Sequence, residues 1–287
     1  MSSPGTSREG SAKPLAPTIG VFDSGFGGLT VLRALVARLP QARFAFLGDT
    51  ARLPYGSKSR RTIARYAAQS AQFLVREQGA EFVVIACNTA SALALDAIQD
   101  AVPVPVLGVI APGAAAARQA SRTGDVLVIA TDATVHSHAY AAACRAHGLR
   151  ALEKACPLLV PLVEEGWTNH PVTAEVIRIY LDELTAEAAA QGLNPDTLVL
   201  GCTHYPLLRP LIARAVPAGM AVIDSAEAAA EAAVRHFGVA ALAQASASSE
   251  STECRCFATD SVEKFERLGS RFLNRPTGRV ELVDLGG

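Results

Sequence analysis

The sequence predicts an α/β protein whose mainly parallel sheets are flanked by helices and arranged as two related halves. Three observations predict this. Apolar, β-branched bursts alternate with longer stretches of helical periodicity. Polar and glycine-rich clusters (DSGFGG, GDTARLPYG, CNTAS, TDATVHS and GCTHYP) follow directly on several of the bursts. Loops at the carboxyl ends of parallel strands bind ligands in open sheets, so these clusters should converge. Finally, VVIACNTASAL at 83–93 and LVLGCTHYPLL at 198–208 share one plan: an apolar strand, a Cys, a polar pair and a helix-like run.

The elements follow in order. Strands are expected at Ile19–Phe22, Phe44–Leu47, Phe82–Ala86, Val104–Val109, Val126–Ala130, Leu198–Leu200 and Ala221–Ile223, each a short apolar run. Between them the 3.6-residue period predicts helices at Leu29–Leu39, Thr62–Gln78, Ala92–Gln99 and Ala114–Ala120. Further helices are expected at Val135–His147, Thr173–Ala190, Leu208–Ala215 and Ala226–Phe237. Residues 240–253 are small and polar and read as a spacer before a last strand–helix–strand unit, 254–285. Residues 1–17 are rich in Ser, Pro and Gly and read as a disordered lead-in without the apolar core of a secretory signal.

Half of the 287 residues are apolar and the net charge is −1. That is enough apolar material for a sizeable core, and too little positive charge for nucleic acid to be the main partner. No run of about 18 apolar residues marks a membrane span, so a soluble, cytoplasmic chain is expected. Six cysteines (87, 144, 156, 202, 254 and 256) in such a chain read as free thiols rather than disulfides.

Two of those thiols stand out. Cys87 and Cys202 both end an apolar strand, with Asn88 and Thr89 as plausible caps for the helix after Cys87 and His204 two residues beyond Cys202. A buried Cys is ordinarily a small hydrophobe, but two in duplicated settings point to chemistry. A helix N-terminus can lower a thiol's pKa towards neutrality. A redox pair usually comes as C-x-x-C, a Cys protease leaves one thiol idle, and zinc asks for three or four ligands. Inversion at a Cα–H uses both: one thiolate removes the proton from one face and one thiol returns a proton to the other. The four lysines (13, 58, 154 and 264) offer no convincing Schiff-base site for pyridoxal phosphate, so no cofactor and no metal are expected.

These segments resemble the glutamate racemase family, within the aspartate/glutamate racemase superfamily. The matching stretches are GVFDSGFGGLTVL, FLGDTARLPYGSKS, VVIACNTASALAL, GVIAPG, ATDATVHSHAY, CPLLVPLVEEG and LVLGCTHYPLL, in the family's order from residue 20 to 208. The resemblance implies two pseudo-symmetric α/β domains, 18–110 plus 225–287 and 111–224, with glutamate held between them. It implies cofactor-independent interconversion of L- and D-glutamate, supplying D-glutamate for peptidoglycan synthesis. Cys87 would handle the proton on the D side and Cys202 on the L side. A homodimer fits the resemblance, although no motif specifies it.

The remaining candidates fall around the two thiols. Asp23 and Ser24 follow the first strand, where a carboxylate could hold an ammonium or orient Cys87; an ordinary βα turn is the bland alternative. Asp49 reads as a second helper, although an Asp before a loop is usually a turn residue. Tyr55 and Gly56 after Pro54 can offer backbone N–H groups to a carboxylate. Asn88, Thr89 and Thr203 supply neutral donors; Thr131 and Thr134 add hydroxyls, or simply cap a helix. His204 can tune Cys202, and the family motif places a supporting carboxylate at Glu164. Cys144, Cys156, Cys254 and Cys256 read as packing residues. Three rivals stay open: an aspartate racemase, a non-catalytic amino-acid-binding module, and a metal-binding or redox protein.

Overall fold

The computed structural model describes residues 16–238 and 252–286. Nearly all of the expected lead-in and spacer therefore lies outside the described residues. The first part runs β1 (Thr18–Asp23), α1 (Leu29–Arg38), β2 (Arg43–Gly48), 3-10 turns at Thr50–Arg52 and Tyr55–Ser57, and α2 (Arg60–Arg76). It continues β3 (Phe82–Ile85), α3 (Asn88–Leu93), α4 (Leu95–Ala101), β4 (Val106–Gly108) and α5 (Ile110–Ala120). Then come β5 (Asp125–Ala130), α6 (Asp132–Ser137), α7 (Ala139–Ala146), β6 (Arg150–Ala155), α8 (Leu159–Glu164) and α9 (Pro171–Ala190). The chain ends β7 (Thr197–Gly201), a 3-10 turn at Tyr205–Leu208, α10 (Arg209–Ala215), β8 (Ala221–Asp224), α11 (Ser225–Phe237), β9 (Cys254–Ala258), α12 (Val262–Leu273) and β10 (Val280–Leu282).

The strands form two wholly parallel sheets, ordered β10-β9-β2-β1-β3-β4 and β6-β5-β7-β8. Once β9 and β10 are set aside, the two orders correspond strand for strand, with β1, β2, β3 and β4 matching β5, β6, β7 and β8. The repeat read around Cys87 and Cys202 thus falls on equivalent strands, β3 and β7. Central strands β1, β5 and β7 are buried along their whole length. Helices cover both faces of such sheets, so their strands read as unbroken apolar runs rather than alternations.

One apolar core joins the halves. It gathers Ile19, Val21 and Phe46 of the first sheet with Leu127, Ile129, Leu198 and Leu200 of the second. The alanine-rich α11 lies in that seam, burying Ala226, Ala229, Ala230 and Ala233; such small side chains let helices approach closely.

The structure departs from expectation at edges and helix ends. β6, sequence RALEKA, was not foreseen: it lies at a sheet edge, partly exposed, and carries charges instead of an apolar run. The short α8 was also missed. The single helix expected over 135–147 is two, broken at His138, whose φ of 52° cannot continue a right-handed helix. The one expected over 92–99 is likewise divided at Ala94. α5 begins at Ile110, four residues early, with Pro112 in its first turn where the missing N–H costs nothing.

Candidate active site

In a parallel sheet ordered 2-1-3-4 the chain turns opposite ways after its first and third strands, leaving a crevice between their carboxyl ends. Here both sheets have that switch point. From the first come Ser24, after β1, and Cys87, Asn88 and Thr89, after β3; from the second come Thr131, after β5, and Cys202, Thr203 and His204, after β7. All eight line one cavity of about 270 Å3, together with Leu53, Pro54, Tyr55, Gly56, Val160, Glu164 and Lys264. The halves meet tightly beside it: a Cβ on Gly27 would lie 2.4 Å from Thr203 Oγ1 and 2.6 Å from His204 Nδ1.

Cys87 is 6 % exposed and is itself the cap of α3, its Sγ accepting from Ala90 N–H at 3.4 Å. Asn88 and Thr89, expected as caps, are instead the first helical residues. Ser24 Oγ lies 3.3 Å from the same sulfur. The expectation of a lowered thiol pKa is reversed here: burial first, and then the charge of Asp23, push Cys87 up to about 12 against the two hydrogen bonds. Burial thus favours the thiol over the thiolate form of Cys87. Asp23 stands behind the cavity wall, one oxygen accepting from Gly25 N–H at 2.9 Å and the other, among the described residues, without a hydrogen-bond partner. Burial raises its own pKa.

The second thiol has a different neighbour. Cys202 Sγ is 3.9 Å from His204 Nδ1, and His204 Nε2 is 3.4 Å from Glu164 Oε1. Burial opposes a charge on the imidazole, yet the Cys202 sulfur and the Glu164 carboxylate outweigh it and raise His204 to about 10. The other oxygen of Glu164 faces Lys264 Nζ at 3.5 Å. Burial would raise Glu164, but these two cations hold its carboxyl below the usual range.

The other expected residues divide into a wall and a layer behind it. Tyr55 lines the cavity and donates its hydroxyl to buried Asp49 at 2.6 Å; Asp49 also accepts from Thr259 at 2.9 Å and pairs with Arg52 at 3.5 Å. Gly56 faces open space, since a Cβ there would meet nothing within 4 Å. Thr89, Thr131 and Thr134 close a triangle of hydroxyls with sides of 3.0, 3.3 and 2.9 Å. Thr134 forms its buried corner and does not line the cavity. Asn88 Oδ1 accepts from Tyr140 at 2.7 Å, and its buried Nδ2 has no hydrogen-bond partner among the described residues.

Sequence reasoning missed Lys264, Leu53 and Val160. Lys264, set aside as a cofactor lysine, lines the cavity from α12, 100 positions from its partner Glu164; no motif around it signals this. Among the described residues no arginine lines the cavity. Arg52, in the GDTARLPYG cluster, instead lies 4.3 Å from the ring centre of Tyr66.

The sequence profile of the Asp/Glu/Hydantoin racemase family matches residues 19–233. A glutamate racemase of Koribacter versatilis is 53% identical, over 94% of this chain and 98% of that protein. The fold superposes on glutamate racemase isoform RacE1 of Bacillus anthracis with a TM-score of 0.84 at 35% identity, covering 94% of this chain and 98% of the other. It superposes on the Francisella tularensis glutamate racemase, solved in complex with D-glutamate, with a TM-score of 0.82 at 35% identity and the same coverage. With matches of this extent and identity, the chain belongs to the Asp/Glu/Hydantoin racemase family, on its glutamate racemase branch, and is a racemase.

Proposed function

We propose that this racemase interconverts L- and D-glutamate without a cofactor, using Cys87 and Cys202 as paired acid and base. The observation that carries the reading is that two thiols, each at the carboxyl end of the equivalent strand in its own sheet, line one cavity. With L-glutamate bound, Cys202 takes the Cα proton and the Cys87 thiol delivers one to the opposite face; with D-glutamate the roles reverse. Protonated His204 beside Cys202 supplies a positive charge where the sulfur carries negative charge. Ser24, Tyr55, Gly56, Asn88, Thr89 and Thr203 hold the substrate carboxylates with neutral donors. The glutamate racemase names of close relatives, and the D-glutamate in the Francisella structure, favour glutamate over aspartate.

In this reading the D-glutamate supplies peptidoglycan synthesis in the cytoplasm, the halves 18–110 plus 225–287 and 111–224 act as two domains, and a homodimer is the assembly to test. Among the described residues no helix is long and apolar enough to cross a membrane. The experiment is racemisation in D2O with EDTA present, following deuterium at Cα. Deuterium should enter the product from either enantiomer, and the purified protein should show no pyridoxal absorbance. Activity lost on chelation and restored by metal would overturn the cofactor-free reading, and a preference for aspartate in the same assay would replace the substrate.

A further inference from the structure

We propose that Lys264 is a positioning residue that, by holding one oxygen of Glu164 across the mouth of the cavity, limits the pull of Glu164 on His204 and so sets the pH range of the Cys202 side. The inference rests on the functional reading above. Its structural basis is a chain of side chains running inward from solvent. Lys264 Nζ lies 3.5 Å from Glu164 Oε2, Glu164 Oε1 lies 3.4 Å from His204 Nε2, and His204 Nδ1 lies 3.9 Å from Cys202 Sγ. Exposure falls along it, the side chains of Lys264, Glu164 and His204 being 45%, 25% and 12% accessible. The two oxygens of one carboxylate thus face two different cations.

The chain also joins the halves. Lys264 belongs to α12, between β9 and β10 of the first sheet, whereas Glu164 ends α8 beside the second. Lys264 sits 5.5 Å from the centre of the Phe26 ring, which packs against His204 with ring centres 6.1 Å apart. Among the described residues it is the one Lys or Arg in the cavity wall. The charged groups that act on His204 are Cys202 from its own loop, Glu164 from α8 and Asp23 from β1, with Lys264 acting through Glu164.

Electrostatics then fixes the signs. Without Lys264, Glu164 turns its negative charge on His204 alone and stabilises the imidazolium further. Without the charge on Glu164 the imidazolium loses that support. A half-exposed pair acts modestly, so displacements of roughly 0.2 to 0.7 of a pH unit are expected.

The test titrates His204 by NMR on histidine-labelled protein, its signal identified with His204→Asn, and measures kcat/KM against pH. Lys264→Met and Lys264→Gln should raise the His204 midpoint, Glu164→Gln should lower it, and Lys264→Arg should keep the wild-type value. The alkaline limb of kcat/KM should move with it, by the same factor in both directions because the equilibrium constant fixes their ratio. A midpoint that stays put in Lys264→Met or in Glu164→Gln, or moves the same way in both, overturns the proposal, and so does lower activity with an unmoved profile. The titration needs no substrate. If wild-type protein exchanged no Cα hydrogen of glutamate, the functional reading would fall while the titration still decided the charge chain.

Discussion

The amide of Asn88 is bonded at one end only. Tyr140 fixes its amide orientation by donating to Oδ1, and among the described residues the buried Nδ2 is left without a partner at the cavity wall. An unsatisfied buried donor costs about 1–3 kcal/mol, a cost relieved when a ligand accepts from it. A carboxylate of the substrate is the natural acceptor. Asn88→Asp should therefore raise KM for glutamate by about 10- to 100-fold, since it puts a negative charge where a donor stood. Tyr140→Phe, which frees the amide to turn, should raise KM by a smaller factor. Steady-state kinetics check both, and an unchanged KM in Asn88→Asp would remove Asn88 from the carboxylate site. Asn88, Cys87 and Cys202 were legible in the sequence because a polar residue ending an apolar run stands out. Lys264 was not, because a lysine on a charged helix has no local mark and its meaning depends on a carboxylate 100 positions away.

At the scale of elements, the second sheet is fastened at the edge remote from the cavity by Asp196, just before β7. Its carboxylate accepts from Ser121 Oγ at 2.7 Å, Arg122 N–H at 2.8 Å, Thr123 N–H at 3.2 Å and Thr197 Oγ1 at 3.0 Å, tying the approach to β5 to the start of β7. Burial would raise its pKa, but these donors outweigh it and hold the carboxyl below its usual 3.8. A pKa depressed by folding means stability that is present above about pH 4 and lost as pH falls towards the folded-state value. Asp196→Ala should thus cost about 1–3 kcal/mol at neutral pH. The gap from wild type should narrow below pH 4, as urea unfolding at several pH values would reveal. A gap independent of pH would mean that the aspartate acts by packing alone. The strands this staple serves, β5 and β7, were readable to within a residue because burial on both faces makes them continuous apolar runs. β6, at the edge of the same sheet, needed no such run and escaped notice for that reason.

At the scale of the molecule, each half brings one thiol to the cavity through the same switch point. If they serve opposite faces of Cα, Cys87→Ala or Cys202→Ala alone should abolish racemisation, by more than the roughly 10²–10⁴-fold typical of losing one proton-transfer aid. The Cys→Ser variants discriminate further with a glutamate analogue bearing a β-leaving group, because elimination needs only proton removal. Cys202→Ser should retain elimination from the D-enantiomer and Cys87→Ser from the L-enantiomer. The mirror-image result would exchange the faces, and equal loss with both enantiomers in both variants would refute one-sided bases.

The hydroxyl triangle adds something that neither thiol provides. Thr89 comes from one half and Thr131 and Thr134 from the other, so three hydroxyls share hydrogen bonds across the cleft, with either atom of each pair able to donate. Such a ring can run its bonds clockwise or anticlockwise, or break at Thr89 or at Thr131 to send one hydrogen into the cavity, while every heavy atom stays in place. A ligand oxygen placed beside Thr89 or Thr131 could thus be met by a donor or an acceptor without the movement of a heavy atom.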